Sequence, residues 1–297
     1  MKLPNFLCIG APKSGTTSLY DVLKQHQDVF LPSFKEPHFF DSDESWNKGS
    51  KWYMSSYYAK ANHHSVGDFT PTYLSHELSP SRILEVLGDK IKFVVILRNP
   101  IDRAYSHYLH TKRDQYEDFS FLKALEKEEQ RTNYYKKKKD YIGMIRFAYQ
   151  EQGMYAKQLA RYFKLFDREQ FYITTFDDFV SKQEHVIKEI CDFLGLQEQE
   201  GIQYILQSNK FSKARSVALK NVIKNPSVIK KIAKWLIPSF PVRQKIRNYI
   251  QGLNNKSAEK KPLSEVDRKN CYKRYFKKEI QLLEELLSIN LTHWKHD

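Results

Sequence analysis

Two apolar runs break off abruptly into anion-binding chemistry, and they restrict the fold of this 297-residue chain more than any other feature. The first reads FLCIGAPKSGTT over residues 6–17. Its apolar start suits a strand buried on both faces, and the Gly-containing turn behind it opens a helix at Thr16 and Thr17. Such a turn gathers backbone N–H groups and the positive end of a helix dipole at one point, which suits a phosphate. The second reads FVVILRNPIDRAYS over residues 93–106. Here another apolar strand delivers Arg98 and then, past Pro100, a helix carrying Ser106. Two phosphate-sized sites at the ends of two strands point to a nucleotide with phosphates at both ends.

The rest of the chain alternates in the same way. Strands are expected near residues 6–10, 64–69, 91–97 and 170–175, and helices near 16–25, 79–87, 101–111, 147–166 and 179–193. Gly195 is placed to cap the last of these helices. Short turns between alternating strands and helices mean an α/β fold with a central parallel sheet flanked by helices. Beyond Gly195 the pattern is mostly helical, ending in a long amphipathic helix over residues 263–287 and a closing Trp294. One domain over 1–297 is expected, with an α/β core to about residue 195 and a helical part over 196–297. Residues 42–61 and 115–140 read as variable loops.

Composition narrows the partners. Forty-nine Lys and Arg against 35 Asp and Glu leave a net charge of +14, a field that attracts nucleotides, nucleic acid, acidic glycans or a membrane surface. Three isolated cysteines without a C-x-x-C pair fit a reducing compartment and no metal site. The first strand follows the N-terminus at once and no apolar stretch reaches about 20 residues, so a soluble cytoplasmic protein of bacterial style is expected. No nucleic-acid reader motif is present, so a basic nucleic-acid-binding protein is the weaker alternative and no nucleic-acid partner is expected. The basic, aromatic segment 228–250 suits an ordinary amphipathic helix pair, with peripheral membrane contact or a grip on a polyanionic glycan as the alternatives.

Gly10-x-x-x-x-Gly15 has the spacing of a nucleotide-binding P-loop, but Thr16 stands where the usual Lys follows the second Gly, and the lysine is inside the loop at Lys13. Asp41, Asp43 and Asp68 all read as loop residues, so a magnesium ligand at a strand end is not evident. A magnesium-dependent kinase or NTPase is the alternative that these departures disfavour.

Four segments in order resemble one family. PKSGTT at 12–17 is similar to the 5′-phosphosulfate loop of sulfotransferases that use 3′-phosphoadenosine 5′-phosphosulfate (PAPS). LRNPIDRAYS at 97–106 is similar to their 3′-phosphate motif. KEPHFF at 35–40 resembles the segment carrying the catalytic Glu in the heparan sulfate and carbohydrate branch, and GDFTP at 67–71 the acceptor-side segment that follows. The resemblance implies a P-loop-like three-layer fold, PAPS as donor, 3′,5′-bisphosphoadenosine (PAP) as product and no metal requirement. It implies that Lys13, Ser14, Gly15, Thr16, Thr17 and Ser18 hold the 5′ end, and Arg98 and Ser106 the 3′-phosphate. Lys213 and Arg215, in the basic stretch KFSKAR at 210–215, fall where relatives return a Lys/Arg loop over that phosphate.

By the same resemblance Glu36 is the general base, and Asp68 and Thr70 position an acceptor that is a carbohydrate, a glycolipid or a small hydroxylated molecule. His38, two residues from Glu36, faces the acceptor with it if the segment is extended. Many heparan-type relatives carry a Lys where this chain has Phe69, which reads here as a packing residue.

Overall fold

The computed structural model describes residues 2–204, residues 262–296, and the backbone of two short strands at 212–214 and 255–257. The chain forms two compact units. One comprises residues 1–112, 117–207 and 263–297, and the other residues 113–116 and 208–262.

The first unit is built on five parallel strands: β1 (Phe6–Gly10), β2 (Val29–Phe30), β3 (Ser65–Phe69), β4 (Lys92–Leu97) and β5 (Phe171–Thr175). Their order is β2-β3-β1-β4-β5, all neighbours parallel. The chain places β2 and β3 on one side of β1 and then β4 and β5 on the other. The carboxyl ends of β1 and β4 therefore meet where the winding reverses, the usual crevice for a ligand in an open α/β sheet. Both faces are covered, as a parallel sheet requires. Val94 and Ile96 of β4 pack with Phe6, Cys8, Leu19, Leu23, Ile187 and Ile190 on one face. Phe93, pointing the other way, stacks on Phe171 with ring centroids 4.5 Å apart and meets Tyr162 and Phe166 edge-on.

The helices of this unit are α1 (Thr16–Leu23), α2 (Asp43–Trp46), α3 (Gly49–Tyr57), α4 (Ser79–Leu87), α5 (Pro100–Arg113), α6 (Phe121–Glu126), α7 (Glu128–Lys137), α8 (Tyr141–Phe147), α9 (Tyr155–Tyr162), α10 (Phe176–Ser181) and α11 (Gln183–Leu194), then α12 (Glu265–Cys271) and α13 (Lys277–Leu287). The two stretches expected to be loops hold α2, α3, α6 and α7. Asp68, expected in a loop, lies in β3.

Three expected helices are divided, each for a visible reason. Over 147–166, the Glu128 carboxylate accepts the N–H groups of Gln150 and Glu151 at 2.6 and 2.9 Å, and a 3-10 turn over Glu151–Gly153 separates α8 from α9. Over 179–193, Thr175 accepts from the Asp178 N–H at 3.0 Å, so α10 starts early at Phe176 and ends before α11. Over 263–287, a widened π turn at Tyr272–Phe276 interrupts the helix and buries both Tyr272 and Phe276. Gly195 does cap α11 in the left-handed conformation, at φ 75°. The closing Trp294 is buried, and its indole N–H donates to Asp177 at 3.0 Å.

Cys8 and Cys271 are buried, and burial pushes both thiols up to about 12, which marks them as small core residues. Among the described residues no helix is long and apolar enough to cross a membrane. The second unit contains an antiparallel pair, β6 (Ser212–Ala214) with β7 (Asn255–Ser257).

Candidate active site

The loop after β1 is held by both of its neighbours. The Ala11 N–H donates to the Ile96 carbonyl of β4 at 2.8 Å, and the Arg98 guanidinium donates to the Lys13 carbonyl at 2.9 Å. Lys13 and Gly15 both take left-handed backbone, at φ 72° and 83°. Gly15 is the N-cap of α1 and offers no capping side chain, so the first-turn N–H groups of that helix are not claimed by one. A Cβ at Gly15 would also lie only 3.0 Å from the Phe179 ring, so only glycine fits this turn without displacement. Ser14 is fully buried and its hydroxyl has no hydrogen-bond partner. A buried hydroxyl left unpaired beside free helix N–H groups fits a bound anion.

Arg98 follows β4 directly. Its guanidinium lies 4.5 Å from the centre of the Phe176 ring, and the Tyr155 hydroxyl donates to its backbone carbonyl at 2.9 Å. Burial lowers its pKa, but a guanidinium stays charged near neutrality. Ser106 sits two turns into α5, half-buried. Arg103, on the same helix, is fully buried and donates to the Tyr149 carbonyl and to Gln152, which binds α5 to the turn before α9.

A chain of alternating charges runs away from this loop. The Lys35 ammonium donates to Thr17 Oγ1 of α1 and to Glu36 Oε1, both at 3.1 Å. Glu36 Oε2 lies 3.6 Å from His38 Nε2. His38 Nδ1 lies 3.0 Å from Asp41 Oδ2, and Asp41 also accepts from the hydroxyls of Thr72 and Tyr141. Burial works against charge on Glu36, but His38 and Lys35 outweigh it and hold the carboxyl at about 2. Burial likewise opposes the His38 cation, yet hydrogen bonds to Asp41 and Glu36 raise it to about 10. At neutral pH the resting cluster therefore pairs a carboxylate with an imidazolium.

The segment is not extended, contrary to the expectation from alternation. Glu36 and His38 both take positive φ, 64° and 51°, and it is this bent backbone that brings their side chains together. In the sequence Asp41 reads only as a loop carboxylate, not as the partner of His38. The spacing Glu36-x-His38-x-x-Asp41 was the available signal. Thr72 and Tyr141 come from distant parts of the chain and carried none.

Asp68 and Thr70 are fully buried and bonded to each other. Asp68 accepts from Tyr53 at 2.6 Å, Thr70 at 2.7 Å and Tyr73 at 3.0 Å. Phe69 packs edge-on against Phe6 and Tyr20. Lys213 is described only in its backbone, and Arg215 and residues 228–250 lie outside the described residues.

Asp68→Ala is expected to destabilise the protein strongly, because the buried Thr70 and Tyr73 hydroxyls lose their acceptor at about 1–3 kcal/mol each and Tyr53 is left with Tyr58 alone. A drop of several degrees or more in Tm checks this. Burial also raises the Asp68 carboxyl from 3.8 to about 6. A raised pKa stabilises the fold fully below 3.8, and that contribution is lost as pH rises through about 6. Asp68→Asn should remove this pH dependence.

The sulfotransferase domain model matches residues 3–261, most of the chain. The chain belongs to the sulfotransferase family. The sulfotransferase from Alicyclobacillus acidocaldarius superimposes with a TM-score of 0.68 at 26% identity, covering 99% of both chains. Heparan sulfate glucosamine 3-O-sulfotransferase 5 of Homo sapiens is 29% identical over 201 residues, 66% of this chain and 54% of that protein. Bifunctional heparan sulfate N-deacetylase/N-sulfotransferase 1 of Xenopus laevis is 38% identical over 120 residues, 37% of this chain and 13% of that protein. The chain thus spans about half or less of the length of these two relatives.

Proposed function

We propose that this chain transfers a sulfuryl group from PAPS to a hydroxyl or amine of a carbohydrate, a glycolipid or a smaller hydroxylated acceptor. The observation that carries this reading is the 3.1 Å bond from Lys35 to Thr17, which joins an anion loop with an unpaired buried hydroxyl to the Glu36–His38 cluster. Donor loop and base stand side by side, as in-line transfer between two oxygens requires.

Each residue then has one task. Ser14 to Ser18 hold the 5′-phosphate with N–H and hydroxyl donors, and Lys13 neutralises charge on the leaving oxygen. Arg98 forks onto the 3′-phosphate and Ser106 adds a hydroxyl. An acceptor oxygen uses a lone pair to form the new S–O bond while its proton passes to the Glu36 carboxylate. The old S–O bond breaks, and its electron pair stays on the 5′-phosphate oxygen of PAP. His38, held by Asp41, orients Glu36 and steadies its charge. A carbohydrate acceptor is supported by the heparan sulfate relatives, and both O- and N-directed enzymes occur among them.

Incubation with sulfur-labelled PAPS and a panel of oligosaccharides tests the reading. Label appearing in a glycan, with PAP released in equal amount, is expected. Phosphate transfer from ATP without any sulfate transfer would overturn it.

A further inference from the structure

Lys35 has a position that the roles above leave unexplained. Its side chain is 18% exposed, in the seam between α1 and the Glu36–His38 cluster. An ammonium has three donors. One goes to Thr17 in the first turn of α1 and one to Glu36, and the third has no partner among the described residues. Ser14, in the same loop, holds the unpaired buried hydroxyl. The Lys35 ammonium therefore has one donor left over where the loop and the Glu36–His38 cluster meet. The end of β3 supplies no cation there, since Asp68, Phe69 and Thr70 are all buried and none is basic.

We propose that Lys35 is a catalytic residue whose ammonium contacts the sulfuryl group during its passage from donor to acceptor. This rests on the donor assignment above. The peripheral oxygens of the moving group carry negative charge throughout, and a cation bonded at once to the donor loop and to the base spans its path. Lys13 serves the oxygen that leaves, and Lys35 serves the group that moves. A consequence follows for the base. Lys35 is one of the groups that hold the Glu36 carboxyl down at about 2. When the ammonium turns to the sulfuryl group, Glu36 loses part of that restraint and becomes a better proton acceptor only once donor is in place.

The test compares PAPS with PAP, which lacks the sulfuryl group, by calorimetry on the wild type, Lys35→Met and Lys35→Arg. Lys35→Met is expected to bind PAP within about twofold of wild type and PAPS at least about tenfold more weakly, with Lys35→Arg recovering most of the loss. Equal loss for both nucleotides, or no loss for either, overturns the proposal while leaving the donor assignment intact. Failure of the wild type to bind either nucleotide removes the donor assignment itself. The pH profile gives a second readout. Without Lys35 the Glu36 pKa rises, so the acid limb of kcat/KM moves to higher pH. An unmoved limb in a variant with wild-type Tm contradicts the role.

Discussion

Lys13→Ala is expected to reduce turnover by at least about a thousandfold, equivalent to about 4 kcal/mol of transition-state stabilisation. The lysine lies inside the loop between β1 and α1, on left-handed backbone, with its carbonyl fixed by Arg98. The loop backbone that carries its side chain is therefore held in one place. Sulfuryl transfer resembles phosphoryl transfer in that the protein makes few bonds of its own and works by placement and charge. On the proposed assignment, Lys13→Ala removes the cation at the leaving oxygen and with it the largest such contribution. Donor affinity should fall as well, because the same ammonium meets the bound ground state. Stopped-time assays and calorimetry on the variant check both effects. Turnover within tenfold of wild type would remove Lys13 from the reaction.

Glu36→Gln is expected to cost about as much in turnover while leaving donor affinity within a few-fold of wild type. The amide keeps the shape of the side chain but accepts no proton. It also leaves the His38 imidazolium with one carboxylate, Asp41, in place of two. The cluster predicts the pH dependence of the wild type. Glu36 titrates at about 2, so the rate should not fall on the acid side until well below pH 5. His38 is raised from 6.5 to about 10. Its contribution to stability is complete below pH 6.5 and is lost as pH rises through about 10. Activity should decline on the alkaline side in the same window. Wild-type turnover in Glu36→Gln would contradict its assignment as base, and reduced PAP affinity in the same variant would place it on the donor instead.

What could be read in the sequence was what lies close together in the chain. The two anion motifs occupy contiguous segments, and their strands announce themselves as β-branched apolar runs, so β1, β4 and the start of α1 stand where expected. Parallel order followed from alternation. By contrast α7 is polar along almost its whole length and buries only Glu128, so no apolar period marked it. The two-residue β2 is too short to carry a pattern. The divided helices depend on side chains that compete for backbone N–H groups, such as Glu128 reaching residues 150 and 151. The site divides along the same line. Glu36 and His38 are near neighbours, whereas Asp41 is completed by Thr72 and by Tyr141, 100 residues away. The Asp68 cage is likewise assembled from Tyr53, Thr70 and Tyr73, and only the fold makes a buried carboxylate tolerable there.

The central claim is a nucleotide site built for phosphate at both ends, and calorimetric titration of the wild-type protein with PAP, 5′-AMP and ATP, without magnesium, tests it most directly. Tight binding of PAP, with 5′-AMP weaker by at least about a hundredfold because Arg98 and Ser106 lose their phosphate, is the expected result. Equal binding of PAP and 5′-AMP, or a preference for ATP that appears once magnesium is added, would contradict the account.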